Sequence, residues 1–209
     1  MTVSFLVLLL SALAPLLAAG ASVPIITNPS SPANGQVTLQ LDEMWRVGGI
    51  DDEDTVLGQV VRIVGDASGN IYVLDAQLQQ AFVYDETGEL QHTLFGPGEG
   101  PGEVRRACDL TLMSDGSVAA VNRFPGGLVM VSPEGVPAGS LELSVPGRGF
   151  SSAVYRGGNL VVAETANVPN DDGTHIVQSI LGSLQPDGER NAIYLQSNRH
   201  VDYQNDFVF

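Results

Sequence analysis

Few side chains in this sequence are of types that carry chemistry, and their spacing decides what they could do. The three histidines, His92, His175 and His200, form no His-x-His, His-Glu-x-x-His or His-x(3–5)-His pattern. Zinc needs closely spaced nitrogen or sulfur ligands unless a fold gathers distant ones. Scattered histidines are the plainer reading, with a three-histidine centre assembled by the fold as the sharper one. The densest carboxylate run is Asp51-Asp-Glu-Asp54. Calcium favours oxygen-rich loops, yet consecutive acids point in alternate directions, and the Asp-x-Asp-x-Asp-Gly order is missing, so a solvated loop is expected. Asp171-Asp172-Gly173 reads as a turn inside a polar insertion, Asn167 to Thr174. Gly96 to Gly102 (GPGEGPG) fails Gly-x-Gly-x-x-Gly in either register and precedes no helical pattern, which makes it a connector rather than a dinucleotide loop. Ser151 and Ser152 lack a Gly-x-Ser-x-Gly elbow and an assignable histidine. Cys108 is alone, so no intrachain disulfide exists, and without a neighbouring base it reads as a buried small residue. Trp45 and Tyr72 could line a ligand groove, though packing between structural units is the default for such aromatics. No catalytic, cofactor-binding or metal-ligating residue is assigned, and no cofactor is expected.

Composition narrows the remaining classes. The chain has 209 residues, and its nine basic residues face 24 acidic ones for a net charge of −15. All nine are arginine. Without lysine, a P-loop and a Schiff-base mechanism are excluded, and so acidic a surface disfavours nucleic acid. With 44% hydrophobic residues the chain is globular, and 24 Gly and 12 Pro spread along it favour many short strands joined by turns.

The N-terminus reads as an address. Phe5 to Leu17 is an apolar run of the length of a signal-peptide core, followed by the small residues Ala19-Gly20-Ala21. Residues 1–21 are therefore expected to be a cleaved helical signal peptide, residues 22–38 a Pro/Ser/Asn-rich linker, and the protein periplasmic or secreted. The alternative is an uncleaved membrane anchor, since Val3 to Ala21 is about long enough to span.

From residue 39 the chain repeats. Asp66-Ala-Ser-Gly-Asn is a turn before the β-rich Ile71-Tyr-Val-Leu, and Ala81-Phe-Val-Tyr leads to a second turn, Asp85-Glu-Thr-Gly. The unit recurs around Asp109 to Val121 with Leu128 to Gly135, and again around Ala153 to Ala163 with Leu184 to Gly188. Aligned on the first-hairpin glycines, Gly69, Gly116 and Gly158 are 47 and 42 residues apart; on the second, Gly88, Gly135 and Gly188 are 47 and 53 apart. A four-strand unit at this period is the mark of a β-propeller blade, which buries both faces against its neighbours. A β-sandwich is the alternative, but two glycine series keeping step argue against it.

These residues resemble a known family. Phe82 to Gly88, then Phe95-Gly-Pro-Gly-Glu-Gly-Pro-Gly-Glu-Val104, then Asp109 to Val118 look like the NHL-repeat pattern, and Asp66 to Asp75 is similar to its characteristic hairpin. Two departures are Val104 in place of a usual Phe and Ala107 where Pro is common. The resemblance implies a six-bladed propeller of a bacterial exported type, of which three to four blades fit residues 39–209. The final residues, Tyr203 to Phe209, look like a strand without a cap, so a fragment is expected, or a small protein that completes its ring by association. The expected function is a binding or scaffold module for an unidentified protein or small-molecule ligand. The alternatives are a calcium- or zinc-dependent propeller enzyme such as a lactonase, arylesterase or lyase, and a truncated chain without function.

Overall fold

The computed structural model describes residues 27–32, 35, 37–49, 56–142, 147–185 and 187–202. The expected leader (1–21), the acidic run 51–54 and the apolar run 203–209 lie outside the described residues. The chain divides into a unit Met1–Leu39, whose described residues are exposed and irregular, and a unit Gln40–Phe209. No helix occurs among the described residues.

The second unit holds three four-stranded antiparallel meanders. The first is β1 (Val60–Gly65), β2 (Ile71–Asp75), β3 (Gln80–Tyr84) and β4 (Leu90–Leu94). The second is β5 (Ala107–Leu112), β6 (Val118–Asn122), β7 (Gly127–Val131) and β8 (Pro137–Glu142). The third is β9 (Arg148–Arg156), β10 (Asn159–Pro169), β11 (His175–Leu184) and β12 (Arg190–Val201). The inner strands β1, β5 and β9 lie side by side. The three sheets are consecutive blades of a partial β-propeller, as the repeat requires.

Packing follows strand alternation. Tyr72, Leu74, Ala81 and Val83 of the first sheet meet Leu110, Val118, Ala120 and Val131 of the second in one core. The opposite face of the second sheet sends Ala119, Val121 and Leu128 against Phe150, Leu160, Val162 and Leu184 of the third. Because β6 is covered on both sides, Val118 to Val121 are all 0% exposed, which is why that run is apolar without alternation. Each fully buried aliphatic side chain stabilises by roughly 1.5–3 kcal/mol, so the two inter-sheet cores hold the unit together.

One five-residue turn closes most hairpins. In Asp66–Asn70, Asp85–Glu89, Met113–Ser117, Ser132–Val136, Asn170–Thr174 and Gln185–Glu189, the fourth-residue N–H donates to the first carbonyl, and the first N–H to the fifth carbonyl. The fourth residue is always glycine, with φ between +84° and +90°. At Gly88 a second constraint applies, since a Cβ there would lie 2.7 Å from the Trp45 ring. The first hairpin of the third sheet differs: Arg156 pairs with Asn159 across a two-residue Gly157-Gly158 turn, both at positive φ. The polar stretch Asn167 to Thr174 is also not a loop insertion, which corrects the sequence reading. Asn167, Val168 and Pro169 pair with Val177, Ile176 and His175, so only Asn170–Thr174 turns, and the third sheet runs past the ends of the other two.

A polar chain crosses the inner strands. Arg62, Asp109 and Ser152 occupy one register position, opposite Leu74, Val121 and Ala163 respectively. Asp109, 4% exposed, pairs with Arg62 Nε at 3.2 Å and accepts from Ser152 Oγ and from the Ala153 amide at 3.1 Å. One buried carboxylate thereby joins all three blades. Asp109→Ala is expected to lower unfolding free energy by about 3 kcal/mol, because it strands Arg62 and an amide without an acceptor. Asp109→Asn should cost less. Urea titration checks both, and equal stability of all three proteins would remove Asp109 from this role.

Candidate functional site

Blade geometry places the β2–β3, β6–β7 and β10–β11 turns and the connectors between sheets at one end of the strands. That end holds a cleft of about 1350 Å³. Its walls are the Ala76–Gln79 turn, the Pro97–Arg106 connector, Asn122 to Pro125 and part of β7 and β8. Connecting loops carried on rigid sheets are where binding residues concentrate.

The connector is built, not slack. Val104, 0% exposed, plugs the core between the first two sheets, and its amide donates to the Gly96 carbonyl at 2.8 Å. The Glu103 carboxylate folds back to accept the Gly100 amide at 2.7 Å. A Cβ at Gly98 would collide with that carboxylate at 2.0 Å, which explains the glycine-rich sequence as a steric need. The Ala107 amide donates to Gln79 Oε1 at 2.9 Å, a bond proline could not make. Gln79 and Arg106 both sit in the left-handed region (φ 56° each), so the turn and the connector end are held in shapes that random chain avoids.

The rim combines charge and aromatic surface. Arg105 pairs with Glu99, while Arg106 is exposed and has no ion-pair partner among the described residues. The Arg123 amide donates to the Arg106 carbonyl at 3.1 Å, and Phe124 beside it is 40% exposed. In a chain of net charge −15, this end carries Arg105, Arg106 and Arg123 together with Glu99, Glu103 and Glu142, and Asp66, Asp85, Asp115 and Asp187 sit in turns at the opposite end. There they accept backbone amides, as at Asp66 Oδ1 from Ser68 (2.8 Å) and Asn70 (2.9 Å).

A position that the sequence reading missed lies just beneath the cleft end. Asp75, Asn122 and Glu164 each stand six residues after the first-hairpin glycine of their blade. Asp75, 0% exposed, accepts the amides of Gly58 (2.5 Å), Gln59 (3.1 Å), Gln77 (2.8 Å) and Leu78 (3.0 Å). Glu164, 2% exposed, binds Arg148 Nη1 at 3.0 Å and Arg190, and Arg148 donates onward to Gln178 Oε1 at 2.9 Å. The carboxylates in these two blades thus lash strand ends and connectors to the sheets. Counting from each glycine would have found them.

The other candidates separate. His92 contacts the Pro133 carbonyl at 2.6 Å in the first sheet's neighbourhood, while His175, bonded to Asn167 at 3.0 Å, and His200 lie in the third sheet. No group of three metal-ligating side chains forms among the described residues. Ser151 Oγ donates to the Ala163 carbonyl and Ser152 to Asp109, and neither meets a histidine. Tyr72 is 3% exposed in the first core; burial, then the Asp66 charge and hydrogen bond, push its hydroxyl up to about 12. Trp45 stacks 5.9 Å from Tyr84 and donates to the Glu86 carbonyl at 3.2 Å, capping the first sheet's far face. Burial also raises the Cys108 thiol, whose Sγ lies 3.4 Å from the Val121 carbonyl.

No family model and no curated protein sequence matches the chain. Among solved structures it is similar to a streptogramin B lyase, at 12% identity and TM-score 0.45, covering 71% of this chain and 56% of that one. It is likewise similar to the selenomethionine form of virginiamycin B lyase from Staphylococcus aureus, at 11% identity and TM-score 0.40, covering 72% and 57%. A third is a protein of unknown function from Bacteroides caccae, at 12% identity and TM-score 0.32, covering 65% and 56%. The chain spans little more than half the length of these structures.

Burial pushes the Asp75 carboxyl up, but the amides of Leu78, Gln59, Gly58 and Gln77 together outweigh it and leave its pKa below the usual value. A lowered folded-state pKa means the unfolded chain takes up the proton first as pH falls. The Asp75 contribution is therefore complete above about pH 5 and lost as pH drops below about 4. Asp75→Asn should lower the thermal midpoint at pH 7 and show a smaller further loss between pH 5 and pH 3 than the parent. Parallel curves would refute the assignment.

Proposed function

We propose that this chain is an exported binding module that takes its ligand in the cleft at the connector end of the blades. The observation that carries the reading is the combination of a built, glycine-shaped connector with a wide open cleft rimmed by Arg106 and Phe124. Small-molecule pockets enclose roughly 300–1,000 Å³, and a shallower hollow of about 1350 Å³ fits an extended polymer segment better. Arginine and aromatic side chains are the types that most often anchor such contacts, and an exposed arginine on an acidic protein selects a segment bearing carboxylate or another anionic group.

The test is a peptide array of acidic and neutral sequences probed with the purified protein, followed by calorimetry on the best binder. Arg106→Glu and Phe124→Ala each touch solvent-facing groups and are expected to weaken that binder at least about tenfold (~1.4 kcal/mol) without altering the unfolding midpoint. Affinity that ignores both changes would move the site elsewhere. Turnover in a broad hydrolase and lyase screen, or stoichiometric calcium or zinc in the purified protein, would favour the metal-dependent enzyme instead.

A further inference from the structure

The first two sheets share one kind of strand end, and the second has no carboxylate of its own there. Counting forward by the 47 residues that separate Gly69 from Gly116 sets Asp75 on Asn122, Gly58 and Gln59 on Arg105 and Arg106, and Gln77 and Leu78 on Phe124 and Pro125. The strand register agrees. Val60 pairs with Asp75 as Ala107 pairs with Asn122. The Ala76 amide donates to the Gln59 carbonyl at 2.8 Å, as the Arg123 amide does to that of Arg106 at 3.1 Å. In the first sheet the amides of Gly58, Gln59, Gln77 and Leu78 all end on the Asp75 carboxylate. In the second, Pro125 has no N–H, and the amides of Arg105, Arg106 and Phe124 have no acceptor among the described residues.

Asn122 is suited to a donor's part in this setting. Its Oδ1 is enclosed and unbonded, so the end of the carboxamide that the cleft can reach is the Nδ2 donor. Asn122, Arg105, Arg106 and Phe124 all line the cleft. Arg106 sits at φ 56°, a left-handed bend of the kind that turns successive amides to one side and makes an anion-binding concavity. The amide that follows, Ala107, already holds an oxygen there, Gln79 Oε1. Of the acids in the wall, Glu99 pairs with Arg105 and Glu103 holds the Gly100 amide. Glu142 and Arg106 stay uncommitted among the described residues, and their charges cancel.

We propose that a carboxylate of the ligand takes the place in the second sheet that the Asp75 carboxylate holds in the first. It is bound by the amides of Arg105, Arg106 and Phe124, by Asn122 Nδ2 and by the Arg106 guanidinium. The assignment rests on the connector-end cleft being the ligand site, and it names the group that is held there. An aspartate at residue 122 would fill these amides from within, as Asp75 does in its own sheet, and would repel a second anion. Asparagine leaves them to an incoming one. Hydrogen bonds to an ionised acceptor are about twice as strong as neutral ones, so the arrangement selects a carboxylate over a carboxamide of the same shape.

Proton–nitrogen correlation spectra of the full chain, titrated with sodium acetate and, at matched ionic strength, with sodium chloride and with acetamide, test this. Acetate is expected to move the Arg105, Arg106 and Phe124 amide protons downfield, saturating at roughly millimolar concentration. Chloride and acetamide should not. Asn122→Asp should abolish those shifts while keeping or raising the unfolding midpoint at pH 7. Asn122→Ala, which removes the Nδ2 donor, should weaken acetate about tenfold. Shifts without saturation, shifts confined to arginine side chains, or a response unchanged in Asn122→Asp overturn the proposal. With an acidic peptide binder in hand, amidating its C-terminus and replacing its acidic side chains by amides tell which carboxylate is held. One of these arms should cost at least about tenfold, and a peptide indifferent to both overturns the proposal. A peptide that ignores Arg106→Glu and Phe124→Ala, while acetate still saturates the three amides, removes the polymer-segment reading of the cleft and leaves the carboxylate site standing.

Discussion

A β-sheet with apolar residues on both faces cannot shield itself, and the described residues hold three of them in sequence. The constraint acts most strongly on the second sheet, whose β6 residues Val118 to Val121 alternate between two cores and leave no side for water. Everything else in the unit serves that stacking. Ala119 and Ala120 are small because sheets meet closely there, and the connector from β4 must cross to β5 without opening the core, so Val104 is driven into it. Hydrophobic burial supplies the driving force but has no direction. Direction comes from Asp109, which is buried between Arg62 and Ser152 and fixes the three inner strands against sliding. A buried carboxylate tolerates few arrangements, so a shifted register would leave it unpaired at large cost.

The same economy explains the acidity of the protein. Many of its carboxylates have structural employment in hairpin turns or at strand ends, where backbone amides supply the complementary charge. Asp85, half-buried in its turn, is held below the usual carboxylate range first by the Thr87 hydroxyl and then by amides. Such residues fill the turns at one end of the blades, while the connector end, where the cleft opens, combines Arg105, Arg106 and Arg123 with Glu99, Glu103 and Glu142.

The blade repeat was legible in the sequence because its two glycine series encode a backbone requirement. Gly69, Gly88, Gly116, Gly135 and Gly188 all adopt the positive φ that the five-residue turn demands, and no packing partner needs to be known to infer it. The third unit was read less well. Its Gly157-Gly158 turn is shorter than its counterparts, and the extension of β10 and β11 looks like a loop because Asn, Pro and Asp interrupt it. Those residues are tolerated in strand because the extension runs beyond the stacked cores, where a polar strand meets water.

Local sequence therefore determined the all-β architecture, the hairpin turns, the order of blades and the absence of any close-spaced catalytic motif, since each of these depends on residues within a few positions of one another. Only the tertiary structure decided that Asp109 joins three blades, that Asp75 and Glu164 lash the strand ends, and that Arg106 and Phe124 share a rim. These meetings join residues tens of positions apart. Their geometry is set by how twisted sheets stack, and a linear pattern of residue types does not contain that information.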